Sequence, residues 1–267
     1  MAEIEGPIRF NGSMGDVTCY WNSVLKKWIV RKKGGPRKEH IKKSRVFKNT
    51  RLNMAEFKAC GKWCHLLREG LWELDDYNWG LYMSGVVQLA KTIQLMDEVN
   101  PKGRRCIESS KHKSLLTDIN FNENHPFDKV VRRQPEVISD ETRMSVTVNL
   151  PQFYALRELI WRAGYTHFRF ALTIVQLSDY ICYANSKKNA PAHPDLQDTR
   201  KVVFSEWIPK SASPNDISLA LSFKDDEIPA SDATVMVALG IEFANSPMGH
   251  SFFSAKGDRT MKLIACL

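Results

Sequence analysis

From Met144 to Cys266 the chain is written in strand-sized pieces separated by turn residues, and this constrains the fold more than any other feature. Met144, Val146 and Val148 alternate with Ser145, Thr147 and Asn149, the period of two that sends successive side chains to opposite faces of a strand. Further strands are predicted over 167–176, 201–208, 217–223, 233–243 and 261–266. Turn clusters such as Ser213-Pro214-Asn215-Asp216 and Pro229-Ala230-Ser231-Asp232 separate them. These strands do not alternate with helices, which argues against a doubly wound parallel sheet and for an antiparallel sandwich or partial barrel. Pro151 is expected to open a short helix running to Ala163 and ended by Gly164. Residues 186–197, with Pro191, His193 and Pro194, read as an exposed loop.

The front of the chain is patterned differently. Ile8-Arg9-Phe10, Val17-Thr18-Cys19-Tyr20-Trp21 and Trp28-Ile29-Val30 read as a β-hairpin or short meander. The turn cluster 11–16 lies between the first two, and Gly34-Gly35-Pro36 stops the last. Gly12 and Gly15 have the spacing of a phosphate-clamping GxxG loop, but turn glycines account for them more simply. A helix is predicted over 53–74, with Asn53 and Glu56 as a capping box. Its apolar stripe is Met54, Phe57, Gly61, Cys64, Leu67, Leu71 and Leu74. A second helix from about Asn78 carries Tyr82, Val86, Leu89, Ile93 and Met96, and Asn100-Pro101-Lys102-Gly103 ends it. The short link between the two predicts an antiparallel pair. Residues 101–142 are polar and weakly patterned.

The expected fold class is therefore α+β: an N-terminal β-hairpin and helical pair followed by a mostly antiparallel β-sandwich. The expected organisation is a basic hairpin plus helical pair over 1–100, a connecting segment over 101–142 and a sandwich-like domain over 143–267. Composition agrees with a folded chain, at 43% hydrophobic and 25% charged residues.

Charge is concentrated at the front. Residues 1–70 hold 16 Lys/Arg and 6 Asp/Glu, whereas 71–267 hold 22 and 24. The densest stretch, 26–51, has 12 basic residues and one acid, Glu39. The candidate interaction residues are Lys26, Lys27, Trp28, Arg31, Lys32, Lys33, Arg37, Lys38, Lys42, Lys43, Arg45, Lys48 and Arg51. Such a field attracts acidic protein surfaces, and it attracts nucleic acid by releasing counterions from phosphates. Trp28, His40 and Phe47 offer rings for base stacking. A merely solvated hairpin and helix edge would carry the same charges.

Motifs for chemistry are sparse. Cys60, Cys64 and His65 lie one helical turn apart, but no second ligand pair stands at zinc spacing, so core packing is the better account. Glu73-Leu74-Asp75-Asp76 and Asp225-Asp226-Glu227 are acidic clusters at apparent element ends, where acids favour turns and caps. A catalytic role would need them to converge on a pocket. The seven histidines form no HExxH. No GxSxG elbow, GxxxxGK[ST] loop or GxGxxG after a strand occurs. Trp161, Tyr165, His167, Phe168 and Phe170 read as a sheet core with His167 at its edge, rather than as a stacking platform. No catalytic residue, metal ligand or cofactor is assigned.

The start, Met1-Ala2-Glu3-Ile4-Glu5-Gly6-Pro7, has neither a basic nor an apolar leader segment. No apolar run approaches a membrane span, so no membrane insertion is expected. Six cysteines without small-scaffold spacing read as reduced thiols, and the expected location is cytoplasmic.

Gly12-x-x-Gly15, then Ile29-Val30-Arg31-x-Lys33-Gly34-Gly35, then Phe47-x-x-Thr50-Arg51-x-Asn53-x-x-Glu56-Phe57 resembles a group of uncharacterised Bacteroidota proteins. Those share a glycine-bearing hairpin, a VR strand, a basic link and a TR…EF helix start. The resemblance covers residues 6–70, and Leu239-Gly240-Ile241-Glu242-Phe243 is similar to the same group. It implies no activity and carries no catalytic residue. The function expected from the residues is a non-enzymatic structural or interaction protein. Its basic N-terminal region docks on an acidic protein partner or a neighbouring copy. The alternatives are nucleic-acid binding through 26–51 and an enzyme built on an unrecognised acidic site.

Overall fold

The structure is a computed structural model that describes residues 2–3, 10–71, 77, 82–161, 164–183, 189–246, 252 and 258–267. The protein is α+β, and its contacts divide it into two compact units, Met1–Arg51 and Leu52–Leu267.

The first unit is a four-stranded antiparallel sheet in the order β1 (Ala2–Glu3), β4 (Lys27–Lys32), β3 (Val17–Asn22), β2 (Gly12–Met14). Gly15, at φ +55°, makes the β2–β3 turn, a conformation glycine adopts without a Cβ penalty. Between β3 and β4, Asn22 Oδ1 accepts from the backbone N–H groups of Val24 (3.0 Å) and Leu25 (2.9 Å). Helix α1 (Lys38–Lys43) follows, then a 3-10 turn over Arg45–Phe47.

The second unit is built around one sheet buried on both faces. The sheet runs β10 (Lys201–Phe204), β7 (His167–Ser178), β13 (Ala233–Ala244), β14 (Thr260–Cys266), all antiparallel, with β11 (Ile208–Pro209) also on β7. Along β7 and β13 alternate residues enter different cores. Phe168, Phe170, Leu172, Ile174, Val235, Val237, Leu239 and Ile241 meet Val146, Val148, Leu150, Ile217 and Leu219 of a second sheet. That sheet is β12 (Asn215–Ser222), β6 (Ser145–Phe153), β5 (Glu136–Ser139). Ala171, Val175, Leu177, Met236 and Ala238 instead meet Trp63, Cys64, Leu67, Val86, Ala90 and Ile93 of α2 (Lys48–Gly70) and α3 (Tyr82–Leu95). The expected sandwich is thus present, with helices covering its second face. Double burial explains why β13 reads as a nearly continuous apolar run, with Thr234 and Glu242 as its polar members, rather than an alternation. Its twelve residues are all buried, and each large apolar side chain there contributes about 1.5–3 kcal/mol relative to exposure.

The helical pair is antiparallel: Gln94, near the end of α3, donates to Glu56 O near the start of the buried part of α2 (3.4 Å). The capping-box expectation fails. Helix α2 begins at Lys48, so Asn53 is interior to it, and the Glu56 carboxylate accepts the Gly103 N–H instead (2.9 Å). The stripe is also rotated. Met54 and Phe57 are exposed, while Ala59, Cys60, Trp63 and Cys64 are buried. In α3 the buried positions are Val86, Ala90, Ile93 and Gln94, and Met96 is exposed.

Residues 101–142 hold two short helices, α4 (Lys113–Leu116) and α5 (Phe127–Val130), as well as β5. They run along β14 through Asp118 N–H to Leu263 O and Phe121 N–H to Met261 O (both 2.9 Å). That contact covers an edge strand that would otherwise present unpaired backbone groups.

The helix expected over 151–163 is reduced to the single turn α6 (Ala155–Glu158); Arg162 and Ala163 lie outside the described residues. Pro151 belongs to β6, beyond the last β5 pair at Glu136–Asn149, where it denies no ladder bond to that neighbour. The loop expected over 186–197 contains β9 (Asn189–Pro191), paired with β8 (Tyr180–Cys182).

Candidate interaction surface

The β3–β4 register decides how the basic segment is displayed. Directly opposed residues of an antiparallel pair share a face. One face therefore carries Val17 with Lys32, Cys19 with Val30 and Trp21 with Trp28. The other carries Thr18 with Arg31, Tyr20 with Ile29 and Asn22 with Lys27. The two indoles meet edge to face with centroids 5.8 Å apart, and Trp21 is 47% exposed. Arg31 lies over the Tyr20 ring at 5.5 Å, within the range of a cation–π contact.

At the far end of β4, Arg31, Lys32, Lys33, Gly34 and Gly35 border, with Thr18, an open concavity of about 360 Å³. The Lys33 N–H donates to Asp16 O and fixes where the strand leaves the sheet. Lys26 sits in the hairpin turn at φ +50°, and Lys27 follows in β4. Arg37 precedes α1; Lys38, Lys42 and Lys43 lie on it, and it has no buried residue. Arg45 is in the 3-10 turn, and Lys48 opens α2.

All of these cations are exposed. Arg51 differs. It is half-buried, and its Nη1 donates to Ile41 O (2.6 Å) and Ser44 O (2.7 Å), so it ties down the end of α1. His40 and Phe47 touch each other at 5.3 Å rather than joining Trp28. Sequence reasoning missed Trp21 and Tyr20 as neighbours of the basic residues. Pairing the hairpin outward from its Asn22–Lys27 closure would have found both.

In the second unit the reactive side chains are engaged in the fold. Burial pushes the Cys60 thiol up to about 11 and the Cys64 thiol to about 12, which keeps both protonated and packed. Glu56 is 2% exposed. Burial alone would raise its pKa, but the Gly103 N–H, Lys91 and Arg105 outweigh this and lower it. Glu242, equally buried, pairs with Arg169 and with Arg259 Nε (2.8 Å). The Arg169 guanidinium lies over Phe204 (4.4 Å) and Trp207 (4.6 Å).

Asp179 accepts from Ser109 Oγ and the Ser110 N–H (both 2.9 Å), and burial raises its pKa. His193 Nε2 meets Asp232 Oδ1 at 2.7 Å. Of the two acidic clusters, Glu73, Asp75 and Asp76 lie outside the described residues. Glu227 accepts from Lys201 (2.9 Å) and from the Lys224 N–H (2.9 Å), closing its own turn. Phe168 and Phe170 are core, and the His167 ring meets Phe252 at 5.3 Å.

Among the described residues, no three His, Cys, Asp or Glu side chains converge to hold a metal ion. No described helix is long and apolar enough to cross a membrane. None of the six cysteines, all of them described, is in a disulfide.

No family model matches the chain, and no curated protein or solved structure is detectably similar to it.

Proposed function

We propose that this chain is a non-enzymatic interaction protein whose N-terminal unit docks on an acidic partner while the second unit serves as a rigid body. One observation carries the reading. The first unit holds 13 Lys/Arg against 4 Asp/Glu, and its described cations other than Arg51 face solvent. Repulsion within so charged a unit is relieved when an acidic surface covers it. The second unit holds 25 Lys/Arg against 26 Asp/Glu, so a neighbouring copy offers no net opposite charge there. A different acidic protein fits better. A cytoplasmic location with reduced thiols belongs to the same reading.

Light scattering of the purified chain at low and high salt, with absorbance at 260 and 280 nm, tests it. The reading predicts a nucleic-acid-free protein that associates with an acidic polypeptide at low salt. Charge reversal at Lys32, Lys33, Arg37 and Lys38 abolishes that association. Unchanged association in the reversed variant counts against it.

The Trp21–Trp28 pair beside Lys32 favours one second reading, nucleic-acid binding, because exposed rings next to cations stack on bases. It predicts co-purifying nucleic acid and an affinity that falls steeply with salt.

A further inference from the structure

Strand β12 is an edge of its sheet, with β6 as its only ladder partner. The Phe223 N–H donates to Met144 O (2.9 Å), and the same register runs on through Leu221–Val146, Leu219–Val148 and Ile217–Leu150. Bonded and non-bonded pairs alternate along an antiparallel ladder, so Ser218, Ala220 and Ser222 turn their backbone N–H and C=O groups away from β6. Among the described residues none hydrogen-bonds those groups, and all three residues are exposed. A bare edge of this kind is a template for another strand unless something blunts it. The other edges of the unit's two main sheets are blunted. Residues 118–121 run along β14, while β5 and β10 are each four residues long and carry Glu136 and Lys201. In β12, residues Ile217 to Phe223 include neither a charge nor a proline, and the shift in register falls before them, between Asn215 and Ile217.

The strand is also complementary to itself. Ser218-Leu219-Ala220-Leu221-Ser222 reads the same in both directions, flanked first by Ile217 and Phe223 and then by Asp216 and Lys224. A two-fold axis at Ala220 would set Ala220 against Ala220 and Ser218 against Ser222 in bonded pairs, with small side chains on the solvent face. On the core face Leu219 would meet Leu221, and Ile217 would meet Phe223, covering Leu221, which is only half-buried in one copy. At both ends Asp216 would meet Lys224, and both are exposed. Opposite charges facing each other across a pair of strands stabilise it, and like charges destabilise it. Neighbouring registers lose this match. An axis at Leu221 would oppose Asp216 to Asp226, and one at Leu219 would oppose Lys224 to Pro214.

We propose that two copies of this chain pair through their β12 edges, antiparallel about a two-fold axis at Ala220, which joins their β12–β6–β5 sheets into one continuous sheet. Such a contact uses the same patch on both copies and closes on itself, so assembly stops at a dimer. The proposal is independent of the basic N-terminal unit, and its test keeps the two apart.

The experiment is sedimentation equilibrium of the full-length protein at about 300 mM salt, which screens association through the basic unit. The expected result is a mass that rises with concentration toward twice 30.6 kDa. Ala220→Glu opposes two carboxylates at the axis and should raise the dissociation constant about tenfold or more. Residue 220 is exposed, so that variant keeps its fold. Disulfide trapping reads the register without relying on it. Under mild oxidation Ala220→Cys should form a covalent dimer, because bonded antiparallel partners have Cα atoms about 5.5 Å apart, within reach of a disulfide. Ser218→Cys should not, because the axis leaves its two copies about 13 Å apart. The wild-type chain under the same oxidant gives the background from its own cysteines. The N-terminal charge-reversal variant should dimerise as the wild type does. A protein that stays monomeric up to about 1 mM would overturn the proposal. So would an Ala220→Glu variant that dimerises unchanged, or trapping of Ser218→Cys as readily as Ala220→Cys.

Discussion

The ring of Tyr77 lies against Gly240: a Cβ at Gly240 would stand 2.7 Å from Tyr77 Cε1 and 2.9 Å from Cδ1. Gly240 is in the middle of β13, a place where glycine ordinarily weakens a strand, and the close approach of the ring accounts for it. Gly240→Ala should therefore destabilise the second unit by about 1–3 kcal/mol through overpacking, although alanine has the better strand backbone. Urea unfolding of the two proteins checks this. An unchanged midpoint would show that the ring moves aside freely.

Glu56 makes the join of α2, α3 and Gly103 sensitive to acid. Its folded pKa lies below its ordinary 4.5, so its stabilising contribution is present above that value. The contribution is lost as the pH falls through the lowered value. Glu56→Ala strands Lys91 and the Gly103 N–H and should cost about 3–5 kcal/mol at neutral pH. Glu56→Gln should cost less and should flatten the loss of stability on acidification. The unfolding midpoint measured from pH 7 to pH 3 separates the variants.

Thiol chemistry should follow burial. Cys60, Cys64, Cys106 and Cys266 have their pKa values pushed up to between about 11 and 12, chiefly by burial. Native protein at pH 8 should therefore react slowly with iodoacetamide at these four positions, and the half-buried Cys182 should be modified first. Mass spectrometry of timed samples gives the order. Early modification of Cys60 or Cys64 would contradict the packing described for α2.

Arg51 should act on order rather than on charge. Its two bonds to Ile41 O and Ser44 O are of the charge-assisted kind, worth about 1.5–3 kcal/mol each. Arg51→Ala should raise amide exchange across α1 and leave β13 protected. Faster exchange throughout the second unit would show a wider role.

What could be read from the sequence follows how local each signal is. The run 233–243 announced β13 because both of its faces are buried, and the turn clusters 213–216 and 229–232 marked where β12 and β13 begin. The beginning of α2 was misplaced because Asn53 and Glu56 imitate a capping box. The true partner of Glu56 is Gly103, which the chain brings in from beyond α3. Pro151 suggested a helix start because proline suits both a first helical turn and a strand position past the end of a neighbour's ladder, here that of β5. The pairing of Trp21 with Trp28 required the hairpin register.

The most direct test of the central claim is a tryptophan-fluorescence titration of full-length protein with poly-glutamate, run at 50 and 300 mM salt. Trp21 and Trp28 stand on the basic unit itself, so binding there changes their emission. The account predicts saturable binding at low salt, weaker binding at high salt, and none after charge reversal at Lys32, Lys33, Arg37 and Lys38. Binding that ignores salt, or that survives the reversal, would contradict it.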